Sequence, residues 1–135
     1  MTRYVLDARA AIELAAADLT LAEGDELLAP TLLRSQVLSQ LHEAVHAGAM
    51  TAKDAQQRRA RIDGWRMRLL GDAVLRRVAW QLADRFGWAS TYEAEYVALT
   101  TLQADVLVTA DPDLARAAAA VVRTAGVDAL RSSVG

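Results

Sequence analysis

The strongest constraint on this chain is a pair of short, uninterrupted apolar runs that each stop at an aspartate. Tyr4-Val5-Leu6 ends at Asp7, and Val106-Leu107-Val108-Thr109 passes through Ala110 to Asp111. Runs of this kind, rich in β-branched and aromatic residues and lacking apolar–polar alternation, suit strands buried on both faces by helices, as in a parallel sheet. Parallel strands need long crossover connections, and the intervening segments carry helical periodicity. With 135 residues, 53% of them hydrophobic, there is enough apolar surface for one core and little room for a second. Seven glycines, two prolines and no cysteine exclude collagen-like and disulfide-stapled classes. The expectation is a single α/β domain over 1–135, three layers deep, with a central, mostly parallel sheet flanked by helices.

The pattern predicts a strand over 3–6, a helix over 8–17, and a strand over 26–29 stopped by Pro30. From 31 the period changes: Leu32, Leu33, Val37, Leu38, Leu41 and Val45 mark one helical face, closed by Gly48. A polar helix follows from 51 to about 67, with Gly64 weakening its last turn. Asp72 caps a helix over 73–86 whose stripe is Val74, Leu75, Val78, Leu82 and Phe86, with Trp80 beside it as a core candidate. Further helices are predicted over 92–103 and 113–122, a buried strand over 106–109, and an edge strand over 127–130.

No apolar run approaches the roughly 18–20 residues a membrane span needs. Asp7 and Arg9 interrupt the N-terminal segment before it could form a signal-peptide core. Without cysteine as well, a cytoplasmic protein with no membrane partner is expected. Fifteen basic against seventeen acidic residues give a net charge of -2, so global charge makes no case for nucleic-acid binding, although a local basic stripe could serve.

In an open parallel sheet, ligands bind beyond the carboxyl ends of the strands. Asp7 and Asp111 both stand there if their strands are neighbours, and Glu93 lies in the first turn of the helix preceding the second strand. Hard carboxylate oxygens of this kind suit Mg²⁺ or Mn²⁺. The same residues also fit a purely structural role, with Asp7 and Asp111 as helix caps and Glu93 favouring a helix N-terminus.

Four segments, in order, resemble PIN-domain proteins of the VapC toxin type. Tyr4-Val5-Leu6-Asp7-Ala8-Arg9-Ala10 resembles the family's opening strand and first aspartate. The segment from Ala29-Pro30-Thr31 through Gln36 to Leu41 resembles its proline-led second helix. Thr91-Tyr92-Glu93-Ala94-Glu95-Tyr96-Val97-Ala98-Leu99 resembles its "YDAxYLAL" helix, and Leu107-Val108-Thr109-Ala110-Asp111-Pro112-Asp113-Leu114 its "LVTxDxxL" segment. The resemblance implies a PIN-like fold and an Mg²⁺- or Mn²⁺-dependent endoribonuclease, acting on RNA, usually paired with a small antitoxin protein and commonly a homodimer. It implies that Asp7, Glu93 and Asp111 are the metal-binding and catalytic carboxylates, with the Thr109 hydroxyl placed to orient them.

Two departures from the family matter. Glu93 stands where the family usually has aspartate, which keeps the charge but lengthens the reach. Gln36 stands where the family has glutamate, so one negative charge is missing and that position cannot act as a base near neutral pH. Asp113 is open as a substitute. Glu95 is two residues from Glu93 and on a helix faces elsewhere, and Glu13 and Asp18 have no better claim. Gln36 therefore also supports a second reading, a degenerate PIN domain that binds RNA or protein without cutting.

A third reading comes from His42-Glu43-Ala44-Val45-His46, a literal H-E-x-x-H that holds both histidines of the chain. On a helix it sets two imidazoles on one face beside a possible base, the arrangement of zinc hydrolases. A third protein ligand is required, and Asp63 is the nearest candidate downstream. The alternative is an exposed helix face. Lys53, Arg58, Arg59, Arg61, Arg66 and Arg68 crowd the third helix. Of these, Arg58, Arg59 and Arg61 are candidates to hold RNA phosphates, against a simple solvated face. Trp65 and Trp88 are candidates for core or for the anchors of a partner groove.

Overall fold

The computed structural model describes residues 1–131. Its elements are β1 (Arg3–Leu6), α1 (Ala8–Leu14), β2 (Glu26–Pro30), α2 (Leu32–His46), α3 (Ala52–Gly64), β3 (Met67–Leu70), α4 (Ala73–Phe86), α5 (Thr91–Gln103), β4 (Val106–Val108), α6 (Pro112–Ala118), β5 (Thr124–Ala125) and α7 (Asp128–Arg131). Among the described residues these are five strands and seven helices. The strands form one sheet in the order β3-β2-β1-β4-β5, and every pairing is parallel. This is the expected three-layer arrangement, a central parallel sheet flanked by helices. Among the described residues no helix is long and apolar enough to cross a membrane.

The sheet is buried on both faces, and that burial is what unalternated apolar strands require. On one face Val5, Leu28 and Leu107 pack with Leu33, Val37 and Leu41 of α2 and with Val97 and Leu99 of α5. On the other, Leu6, Leu27 and Val108 pack with Ala10, Leu14 and Leu130. Leu6, Leu28, Leu33 and Leu107 are fully buried, each contributing roughly 1.5–3 kcal/mol by leaving water.

The strand order places the site. From β1 the chain steps outward through β2 to β3, then returns to lay β4 on the opposite side of β1. The connections above the sheet diverge between β1 and β4, and a crevice opens at their carboxyl ends. The register sets Leu6 beside Val108, and the Asp7 amide donates to the Val108 carbonyl at 3.2 Å. The segments after both strands are thereby brought to one place.

Several expectations need correction. The third helix stops at Gly64 instead of about 67, with Trp65 as its C-cap, and Met67–Leu70 is an edge strand that the sequence pattern does not predict. Met67, Leu69 and Leu70 are only half-buried, so this strand shows neither a continuous apolar run nor clean alternation. The last strand is Thr124–Ala125, and most of the segment expected as the edge strand, 127–130, forms α7. Helix α1 ends at Leu14 and α6 spans Pro112–Ala118, both shorter than alanine content suggests, since alanine favours helix without marking where it stops. Trp80 is 68% exposed, because α4 buries Leu75, Ala79, Leu82 and Ala83, a stripe rotated away from Trp80 and Val74. Leu38 is likewise exposed on α2. Trp65 and Trp88 are half-buried against the core, Trp88 stacked on Phe86 with ring centroids 5.4 Å apart.

Candidate functional site: an acidic cavity at the β1–β4 crevice

Asp7, Gln36, Glu93 and Asp111 line one cavity of about 70 Å³, with Arg9, Gln40 and Tyr96 completing the wall. They arrive from four elements. Asp7 follows β1, Asp111 lies beyond β4, Gln36 and Gln40 share one face of α2, and Glu93 and Tyr96 share one face of α5.

Asp7 and Asp111 are also helix caps. Asp7 Oδ1 accepts from the Ala10 amide at 2.8 Å, and Asp111 Oδ1 accepts from the Asp113 amide at 2.9 Å. Asp7 is only 5% exposed, and its second oxygen accepts from the Thr109 hydroxyl. Thr109 Oγ1 in turn accepts from the Asp111 amide at 3.0 Å, tying the two aspartates together. Burial raises the Asp7 pKa. The Thr109 hydroxyl and the Ala10 and Ala110 amides pull it back, and Asp111 pushes it up again.

Glu93 behaves differently. It is the third helical residue after the cap Ser90, where a glutamate often reaches back to the cap amide. Here its carboxylate has no hydrogen bond or ion pair among the described residues. Burial raises its pKa first, followed by the negative charges of Asp111, Asp113 and Asp7. Glu93 is exposed at the cavity mouth, so water can solvate its carboxylate, and a cation there would relieve its repulsion with the two cavity aspartates. Arg9 also lines the cavity; its guanidinium lies 4.0 Å from Asp111 and its side chain is 58% exposed.

The donor chemistry suits Mg²⁺ or Mn²⁺, but the carboxylates are not drawn tightly together. Among the described residues no three His, Cys, Asp or Glu side chains are grouped closely enough to hold an ion directly. An ion here would have to keep much of its water, as Mg²⁺ usually does, and take one or two direct carboxylate contacts.

The other candidates lie elsewhere. Asp113 is exposed on the rim and paired with Arg116. Glu95 lies within electrostatic reach of Arg76, and Asp18 is 3.8 Å from Arg61. Arg58 grips Asp54 and the Ile12 carbonyl, and Arg61 the Ala15 carbonyl at 2.8 Å, so both bind the end of α1 to α3. Arg59 lines a separate groove of about 360 Å³ between α2 and α3, with Arg34 and Asp63. His42 and His46 are exposed on α2, Glu43 accepts from Ser39, and Asp63 lines that groove without either histidine.

Sequence reasoning missed Arg9, Gln40 and Tyr96 as cavity residues. Spacing could have found the last two, since Gln40 follows Gln36 by one helical turn and Tyr96 follows Glu93 in the same way.

The fold and site define a three-layer α/β domain with an acidic cavity at its topological switch point. No family profile matches the chain, and no curated protein does either. Among solved structures, the chain is similar to the crystal structure of PAE2754 from Pyrobaculum aerophilum, with a TM-score of 0.69 and 20% identity. The match covers 96% of this chain and 93% of that one, a likeness of fold over nearly the full length of both.

Proposed function

We propose that this chain is a divalent-metal-dependent endoribonuclease of the PIN, toxin–antitoxin type, with Asp7, Glu93 and Asp111 as its acidic centre. The observation that carries this reading is the meeting of three carboxylates from three separate elements in one cavity, one of them without any partner. The four segments resembling VapC-type PIN domains agree with it, because three of them supply these residues.

A bound Mg²⁺ or Mn²⁺ would lower the pKa of an attacking water and neutralise charge developing on the phosphate. The chain's own contribution is positional. Asp7 and Asp111 are fixed by the backbone amides they cap and by the shared Thr109 hydroxyl. Glu93 is held by α5 with both carboxylate oxygens uncommitted. RNA, a cognate antitoxin and a second copy of the chain are the partners this reading names.

Incubating the purified chain with a mixed RNA pool and Mn²⁺ tests the activity. Cleavage should need the ion, stop in EDTA, and fall at least about a hundredfold in Asp7→Ala and Asp111→Ala. Cleavage that persists in both variants would reject the site, and no cleavage of any RNA would reject the activity.

A second reading has its own support. Gln36 stands where the family that the chain resembles has glutamate, and among the described residues no group of acids is close enough to hold an ion directly. A chain that binds RNA or a protein partner without cutting it would fit both facts.

A further inference from the structure

The Tyr96 hydroxyl lies 2.6 Å from Gln36 Oε1 and donates to it. Tyr96 is 2% exposed, and burial, then the nearby negative charges of Asp7 and Glu95, hold it protonated. A buried tyrosine needs an acceptor for its proton, and the amide oxygen of Gln36 supplies it. With Oε1 committed, Nε2 is the end of the amide left for the cavity, and it has no partner among the described residues. The opposite placement of the amide would lose this bond, because an amide N–H cannot accept the Tyr96 proton.

We infer that Gln36 is a substrate-binding residue whose side-chain N–H donates to a non-bridging phosphodiester oxygen, with Tyr96 as the positioning residue that turns the amide that way. The inference rests on the ribonuclease reading above. In a cavity walled by carboxylates, an anionic phosphate needs donors; Gln36, Gln40 and the exposed Arg9 guanidinium line it, and of the two amides Gln36 is the one whose orientation Tyr96 sets. Position 36 is thereby assigned to the substrate instead of the metal, and the missing charge becomes part of the design of the site.

The test is NMR on the full chain, following the Gln36 side-chain amide while a short single-stranded RNA of mixed sequence is added in EDTA, which prevents metal-dependent cutting. The amide signals should shift saturably. In Tyr96→Phe the shift should be lost and RNA binding should weaken about threefold or more. Gln36→Glu should weaken RNA binding about tenfold while tightening Mn²⁺ binding measured separately by calorimetry, and Gln36→Asn should also weaken RNA binding, because the shorter amide cannot reach both partners. RNA that binds without moving the Gln36 amide, or that binds Gln36→Glu as tightly as the wild type, would overturn the inference and leave the ribonuclease reading standing. RNA that does not bind at all would overturn the inference, and the cleavage test with Mn²⁺ described above then decides the ribonuclease reading. The circular dichroism of each variant, matched to the wild type, separates these outcomes from misfolding.

Discussion

Replacing Thr109 by valine removes one hydroxyl with almost no change of volume, and that hydroxyl serves both aspartates. It donates to Asp7 and accepts from the Asp111 amide at 3.0 Å. Thr109 and Asp7 are each 5% exposed, so water cannot replace the bond. A hydrogen bond to a charged group is worth about 1.5–3 kcal/mol, and leaving the Asp111 amide without its acceptor adds to the loss, giving about 2–4 kcal/mol near neutral pH. For a chain of this size that is a fall in Tm of roughly 7–14 °C. The effect should depend on pH with a definite sign. Asp7 already has its folded pKa raised above the ordinary 3.8 by burial, and Thr109 is the strongest influence lowering it. In both proteins the folded state holds more protons than the unfolded state between the unfolded and folded pKa, so stability falls as pH rises through that window. In Thr109→Val the folded pKa lies higher still, and the fall continues further. The difference between the two proteins should be about 1 kcal/mol at about pH 4, where the lost bond is one between neutral groups, and should grow as pH rises. Urea unfolding in EDTA across that range measures it. A difference that is constant with pH, or below about 1 kcal/mol near neutrality, would refute the claim that Thr109 holds the buried charge of Asp7.

Other consequences of the packing are open to the same measurements. A Cβ at Gly71 would sit 2.5 Å from Thr31 Oγ1 and 3.1 Å from its Cγ2. Gly71→Ala should therefore cost about 1–3 kcal/mol, most of it recovered in a Thr31→Ala background, and a double-mutant cycle without coupling would contradict the close approach. Trp80→Ser should change stability by less than about 0.5 kcal/mol, because that ring is 68% exposed. Trp65→Ala, which removes a ring packed against both core clusters, should cost about 2 kcal/mol or more in the same unfolding experiment.

The fold was legible where one residue pattern had one physical solution. The apolar runs of β1 and β4 read best as buried strands, and as strands of a parallel sheet they carry their terminal aspartates to its carboxyl edge. Strand β3 was hidden because a half-buried edge strand mixes apolar and charged residues, as Met67-Arg68-Leu69-Leu70 does. Strand β5 is Thr124–Ala125, too short for any period to register. Trp80 was misplaced for a different reason. Its position beside the apolar stripe of α4 does not say which side of that stripe faces the core, and Leu75, Ala79 and Leu82 take the inner side.

The site was legible by residue type and much less by partner. Asp7, Glu93, Asp111 and Gln36 do meet, yet the alternatives weighed for the aspartates are not exclusive, since both cap helices while lining the cavity. What no sequence pattern announces is the hand-to-hand contact of Tyr96 with Gln36, sixty positions apart, which fixes what the amide presents. The basic third helix shows the converse. Arg58 and Arg61 look like an RNA-facing patch in sequence, and their guanidinium groups are bound to carbonyls at the end of α1.

The central claim is that the cavity between β1 and β4 is a working cation site. Calorimetric titration of the purified chain with Mn²⁺, beside Asp7→Ala, tests it most directly. The account predicts saturable binding to the wild type that disappears in the variant. An absence of binding at millimolar Mn²⁺, or binding that survives Asp7→Ala unchanged, would contradict it.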